Sequence, residues 1–228
     1  MSRSLKVWII GGVAALLLAF VVAPFVYTQF LADDAPEQLS VGTTGAPEAV
    51  SGESASADGA WKVGPGSQAG YRVKEVLFGQ DVEAVGRTDQ VTGDLTVDGA
   101  SVGEGSFTVD MKTVKSDKDQ RDGQFRGRIM ETETYPTSKF TLTEPIDLGS
   151  VPAVGSQVKA EATGELTLKD KSNRVAFEVT ASRTAADAFE VSGQIPVKFT
   201  DYGIANPGFP GIEVENDGKV EFLLKFTR

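Results

Sequence analysis

The stretch Phe107–Leu142, FTVDMKTVKSDKDQRDGQFRGRIMETETYPTSKFTL, places two strand-like runs on either side of a charged interruption. Phe107, Val109 and Met111 alternate with Thr108, Asp110 and Lys112, the period of two expected of a strand with one buried face. Polar residues then interrupt the alternation. Ser116 and Asp119 have the spacing of a capping box, and Phe125 and Ile129 fall on one face of the short helix that would follow. Pro136 ends that helix, Tyr135 before it is pushed to extended geometry, and Phe140 and Leu142 resume the period of two.

Outward from this stretch, short apolar alternations separated by turn residues recur after Trp61, the sequence form of an all-β sandwich or barrel. Eight strands are predicted, near 69–78, 84–98, 103–114, 137–145, 157–168, 173–184, 187–199 and 217–227, with neighbours antiparallel. Asp98-Gly99 and Asn216-Asp217-Gly218 are hairpin signals of the kind that require positive φ. No fixed-period repeat is visible, which argues against a propeller or solenoid.

The alternation assigns an inward face: Val91, Leu95, Phe107, Val109, Met111, Phe140, Leu142, Leu166, Leu168, Phe177, Val179, Phe189, Val191, Ile195, Phe222 and Leu224. Gly93, Gly164 and Gly193 fall in phase with these bulky positions, either relieving curvature at barrel corners or leaving space inside. An eight-stranded barrel has just enough interior to be packed solid or to hold one small ligand. A lining without an ionisable residue clearly in phase in the later strands suits a hydrocarbon chain rather than a polar metabolite.

Several blocks make the chain similar to the YceI-like family: Arg121-Asp122 in the crossover, Tyr135-Pro136 before the next strand, GELTL at Gly164–Leu168 and DYGI at Asp201–Ile204. The similarity runs in the same order over roughly residues 61 to 228. It departs at Lys169–Asn173, KDKSN, where the family usually has a short turn with glycine. The resemblance implies an extended, eight-stranded, antiparallel lipocalin-like β-barrel, with a short helix between strands, that holds a long isoprenoid or similar lipid. The inward residues above would then be its lipid-binding wall. Arg121, Tyr202, Ile204 and Phe209 are candidates for the mouth or head-group site. Two readings of Arg121 stay open: it binds Asp122 and nearby backbone to pin the helix, or it meets a head group such as a phosphate. Two also stay open for Asp201–Glu215, a lip at the barrel mouth or a plug folded over the barrel end.

The N-terminal quarter differs in kind. Residues 7–27, VWIIGGVAALLLAFVVAPFVY, carry no charge and as a helix would extend about 30 Å, the thickness of the hydrocarbon core. Arg3 and Lys6 precede the run while Asp33, Asp34 and Glu37 follow it, so residues 1–6 are expected in the cytoplasm and the rest outside. Its length, and the lack of a clear small-x-small cleavage site, favour a retained transmembrane helix over a signal peptide. Residues 28–60, rich in Ala, Gly, Ser, Pro and acid, read as a flexible linker before the barrel domain at 61–228.

Net charge is −10, so nucleic acid is not an expected partner. With no His and no Cys, imidazole bases, thiolate or imidazole zinc sites, Ser-His-Asp and Cys-His constellations, disulfides and lipoprotein anchors are all excluded. Asp117, Asp119 and Asp122 do not make a calcium loop, since Gly123 falls one place late and Arg128 sits where a bidentate Glu is needed. The expectation is a single-pass, membrane-anchored extracytoplasmic barrel, not an enzyme, whose partners are an apolar lipid and the membrane and which needs no cofactor besides a bound isoprenoid or fatty lipid. The alternatives are a structural or partner-binding envelope domain with a filled core, and a carboxylate-based hydrolase.

Overall fold

The computed structural model describes residues 35–42, 56–77, 79–208 and 212–228. Residues 7–27, expected to span the membrane, lie outside these. Among the described residues no helix is long and apolar enough to cross a membrane.

The strands are β1 (Gly59–Val63), β2 (Gln68–Leu77), β3 (Gln80–Thr88), β4 (Val91–Asp98), β5 (Ser101–Asp110), β6 (Lys115–Ser116), β7 (Thr137–Leu142), β8 (Ile146–Asp147), β9 (Gln157–Leu168), β10 (Lys171–Ala185), β11 (Ala188–Lys198), β12 (Ile212–Val214) and β13 (Asp217–Thr227). Eight of them close a ring, β1-β4-β5-β7-β9-β10-β11-β13, with β13 returning to β1 through Lys62–Thr227 and Val63–Phe226. Every pairing is antiparallel. β1 with β2, and β3 with β4, make one long hairpin, pairing Gly59 with Val97 near its base and Leu77 with Gln80 at its tip. Between β1 and β2 the ladder breaks, and Ser67 patches it: its Oγ donates to the Gly64 carbonyl at 2.8 Å and accepts from Lys225 N at 2.9 Å.

The β2–β3 end of this hairpin runs beyond the ring and, with the crossover, shapes a wide mouth. The other end is closed. There Trp61 is fully buried, its Nε1 donating to Ala57 O at 2.8 Å, and its ring meets Phe189 edge-on at 4.8 Å. Asp58 Oδ1 accepts from Gly99 N at 2.6 Å, tying the incoming chain to the β4–β5 turn, where Gly99 has the expected positive φ of 56°. The other hairpin signal fails. None of Asn216, Asp217 and Gly218 has positive φ, because β13 begins at Asp217 and pairs with β11 and β2 rather than with the short β12.

Gly93, Gly164 and Gly193 do face bulky positions, but the space above each is taken by a ring. A Cβ on Gly164 would lie 2.3 Å from the Phe140 ring and 2.5 Å from Thr141 O; on Gly193, 2.7 Å from the Phe222 ring; on Gly93, 2.7 Å from Phe107. The same device places Tyr71 over Gly86. These glycines let aromatic side chains lie flat on the neighbouring strand, the arrangement known from glycine–aromatic pairs in sheets. Gly164→Ala is accordingly expected to cost about 1–3 kcal/mol in urea unfolding, since both ring and backbone must shift. Gly105→Ala is the control, its Cβ meeting nothing nearer than 3.6 Å, and should change stability far less.

The stretch expected to be a flexible linker over 28–60 is not free at 35–42. Val41 is buried and its N–H donates to Ser192 Oγ at 3.2 Å; Gln194 Nε2 donates to Gln38 Oε1 at 2.6 Å; Gln157 Nε2 donates to Gly42 O at 3.2 Å. This strap covers outward-facing charges of the wall. Glu221, 0% exposed, accepts from Arg72 Nε at 3.2 Å and Arg87 Nε at 2.8 Å, while Arg72 Nη2 donates to Pro36 O at 2.6 Å and Arg87 Nη2 to Glu37 O.

Candidate functional site

Strand alternation turns fifteen of the sixteen predicted wall residues inward, around two adjoining cavities; Met111, expected in a strand over 103–114, instead opens a 3-10 turn, Met111–Thr113, after β5 and still lines the larger cavity. The narrow chamber, about 140 Å³, lies toward the closed end. Val91, Leu95, Phe107, Val109, Phe140, Leu142, Leu166, Phe177, Val179, Phe189, Val191, Ile195, Phe222 and Leu224 line it, and Ser138 is the one polar side chain in that lining. Five rings circle it in edge and stacked contacts: Phe226 to Phe107 at 5.7 Å, Phe107 to Phe140 at 6.5 Å, Phe140 to Phe177 at 5.5 Å and Phe177 to Phe222 at 6.0 Å. Centroid spacings of this size are the favourable range for aromatic pairs.

The second cavity is a vestibule of about 1540 Å³ at the mouth, bounded by Met111, Leu168, strands β2 and β3, the crossover, Ile204, Pro207, β12 and the start of β13. Ala69, Val109, Ser138 and Val220 line both cavities, so the two adjoin across these side chains. Tyr71, Val73, Phe125, Ile129, Met130 and Val220 give the vestibule apolar walls, and Lys74, Glu75, Asp81, Glu83, Asp117, Lys118, Asp119, Arg121, Glu213, Glu215 and Lys219 share its lining, with the Glu75–Arg121 pair part-buried at 11% and 25% exposed.

The crossover is a short helix, α1 (Asp119–Gln124), running into one π-helical turn, Phe125–Ile129, where Met130 N donates to Phe125 O at 2.8 Å. The turn directs Phe125, Ile129 and Met130 into the vestibule. The capping box is not formed: Lys118 is the N-cap and gives no side-chain cap. Ser116 instead donates from N at 2.8 Å and from Oγ at 2.7 Å to Asp122 Oδ1, and Asp122 is buried. Arg121 therefore does not pair with Asp122. Its Nη2 donates to Glu75 Oε1 at 2.9 Å and its Nη1 to Asp117 Oδ1, pinning α1 to β2. Burial works against its charge, yet the Glu75 and Asp117 carboxylates more than offset this and its pKa moves up.

Tyr71 stacks on Phe125 at 5.1 Å at the vestibule wall. Burial pushes its phenol from the ordinary 10.0 up to about 12; Arg121 opposes the rise and Asp122 and Glu75 add to it. The folded chain thus holds this proton more tightly than the unfolded one, so the stabilisation is complete below pH 10.0 and is lost as pH climbs toward about 12. At about 1.4 kcal/mol per unit, unfolding free energy should drop by roughly 2–3 kcal/mol over that window relative to Tyr71→Phe, read by urea titrations at stepped alkaline pH.

Of the other mouth candidates, Tyr202 and Ile204 fold back into the core rather than forming a lip, and Phe209 lies outside the described residues. The motif Asp201–Ile204 is a helix stop. Gly203, at φ 63°, follows the 3-10 turn Phe199–Tyr202; Ile204 N donates to Phe199 O at 2.9 Å and Gly203 N to Thr200 O at 3.2 Å, the bond pair of a Schellman cap. Ile204 still contributes to the vestibule wall. The glycine-free β9–β10 turn is a tight two-residue turn with Lys169 at φ 56°. Lys169 Nζ reaches Glu131 at 2.5 Å and lies 5.8 Å from the Tyr135 ring centre, so the Tyr135-Pro136 pair anchors this turn to the end of the crossover.

A family model, the YceI-like domain, matches residues 61–226. No curated protein matches the chain. Among solved structures, a polyisoprenoid binding domain from Saccharophagus degradans implicated in plant cell wall breakdown is 21% identical, over 73% of this chain and 97% of that one, with a TM-score of 0.61. BcnA of Burkholderia cenocepacia is 20% identical, over 68% of this chain and 95% of that one, with a TM-score of 0.53. Both are likenesses of fold. The match to the family model, over the whole closed barrel, is of another order, and the chain belongs to the YceI-like family.

Proposed function

We propose that this protein is a membrane-anchored, extracytoplasmic barrel that binds a long apolar lipid, an isoprenoid or fatty-acid derivative, for carriage, storage or protection. One observation carries the reading: a narrow chamber walled by hydrocarbon and aromatic rings adjoins a vestibule of about 1540 Å³ that Tyr71, Val73, Phe125, Ile129 and Met130 help to line. A long chain entering them sheds water along its length, and the charged residues of the vestibule lining are there to meet a polar end. The vestibule is larger than the usual small-ligand pocket of roughly 300–1,000 Å³. Family membership and the fold shared with a polyisoprenoid binding domain support the same class of guest. The uncharged run at 7–27 supports the anchor, and its flanking charges support export of the barrel.

Trp61 lines the inner end of the narrow chamber and offers a direct test. In full-length Trp8→Phe protein, a chain brominated near its tail should quench Trp61 fluorescence and saturate at one chain per protein. Quenching that never saturates, or none, would remove the reading.

A further inference from the structure

The strap at 35–42 runs along the barrel wall in a definite direction. Ala35 lines the vestibule; Pro36 and Glu37 meet Arg72 and Arg87; Gln38 meets Gln194; Val41 meets Ser192; Gly42 meets Gln157, at the β9 end nearest the closed base. The chain therefore reaches the barrel at its mouth and descends the outside. It re-enters at the opposite end, where Ser56–Asp58 lead into β1.

Seven residues, 28–34, separate the end of the apolar run from this docking point. Whatever conformation they adopt, they span at most about 25 Å. β10, with 15 residues, rises about 3.3 Å per residue, and at a usual barrel tilt near 40° it sets the two ends roughly 35–40 Å apart. From these lengths we infer that the barrel is held mouth-first over the bilayer that anchors it, so that lipid passes between the membrane and the vestibule directly. This rests on the proposed anchor. The strap does what surface charge would not: a chain of net charge −10 is repelled by an anionic bilayer, and a short leash keeps the mouth at high effective concentration against it. Without the docked strap the same anchor would leave a much longer leash attached at the closed end, and neither end of the barrel would be held toward the bilayer.

Full-length protein carrying a single engineered cysteine is labelled with a fluorophore and reconstituted into liposomes containing a headgroup-labelled nitroxide lipid. Asp170→Cys marks the β9–β10 turn at the mouth, and Val154→Cys marks an exposed loop at the closed end. The mouth label should lose most of its emission and the closed-end label retain most of it. Val41→Asp, a change on the strap rather than in the barrel, should bring the two labels together, with far-UV circular dichroism confirming that the barrel is intact. Equal quenching in the unaltered strap, as for a barrel lying on its side, or stronger quenching at the closed end, overturns the inference. Sedimentation reads the anchor separately: protein left in the supernatant refutes the anchor, and the orientation falls with it. Protein that sediments with both labels equally quenched refutes the orientation alone.

Discussion

Val109→Trp should weaken uptake of a long-chain lipid by at least about tenfold, on the order of 1.4 kcal/mol, while the barrel stays folded. Val109 lines both cavities and packs against both apolar clusters of the interior, so an indole there fills the boundary a long chain would have to cross from vestibule to narrow chamber. Its own side chain is only partly buried, leaving open volume for the larger group to enter instead of a packed core to force apart. The separation of effects is the informative part. Chain-length dependence should flatten in the variant, because short chains occupy the vestibule alone, while urea midpoints shift little. A variant that binds long chains as well as the parent would show that the narrow chamber is not part of the path.

Glu221→Ala should be the most damaging single change on the outer wall, costing roughly 3–5 kcal/mol. Glu221 is completely buried between Arg72 and Arg87 beneath the strap, and deleting it leaves two guanidinium groups competing for what remains, with Arg72 itself 5% exposed. Arg72 keeps Glu83 at 2.6 Å, but that carboxylate is about a third exposed and screened by solvent. For a chain of this size the loss corresponds to a fall in melting temperature of roughly 6–20 °C. Glu83→Ala, the exposed end of the same network, should cost about 1 kcal/mol or less. Equal effects of the two changes would show that the strap does not bury this pair in solution.

The barrel was readable because each strand has one wet and one dry face, and a period of two shows that wherever it occurs. Thus Phe107 with Val109, Phe140 with Leu142, and Phe222 with Leu224 declared both strand and orientation, whereas the alternation ran one residue too far at Met111, which opens a 3-10 turn. Which ring would cover which glycine was not readable, since Gly164 meets Phe140 only through the register of β7 with β9. Helix pinning was one of the two roles the sequence offered for Arg121, and its contacts fit that role; its partner was not legible. Its neighbour Asp122 was the obvious partner, whereas its structural partner Glu75 lies 46 residues away on another strand. The strap was hidden for a different reason. Its composition is that of a tether, with Val41 the one residue of 35–42 buried against the wall, and its docking depends on backbone carbonyls at Pro36 and Glu37 meeting Arg72 and Arg87, which no pattern in the sequence marks.

Purified full-length protein, washed free of loosely held detergent and lipid, extracted into organic solvent and analysed by mass spectrometry, tests the central claim most directly. The account predicts about one long-chain isoprenoid or fatty lipid per protein, carried through purification and much reduced in Val109→Trp prepared in parallel. Extracts with no stoichiometric lipid, together with no saturable uptake when such chains are supplied, would contradict it.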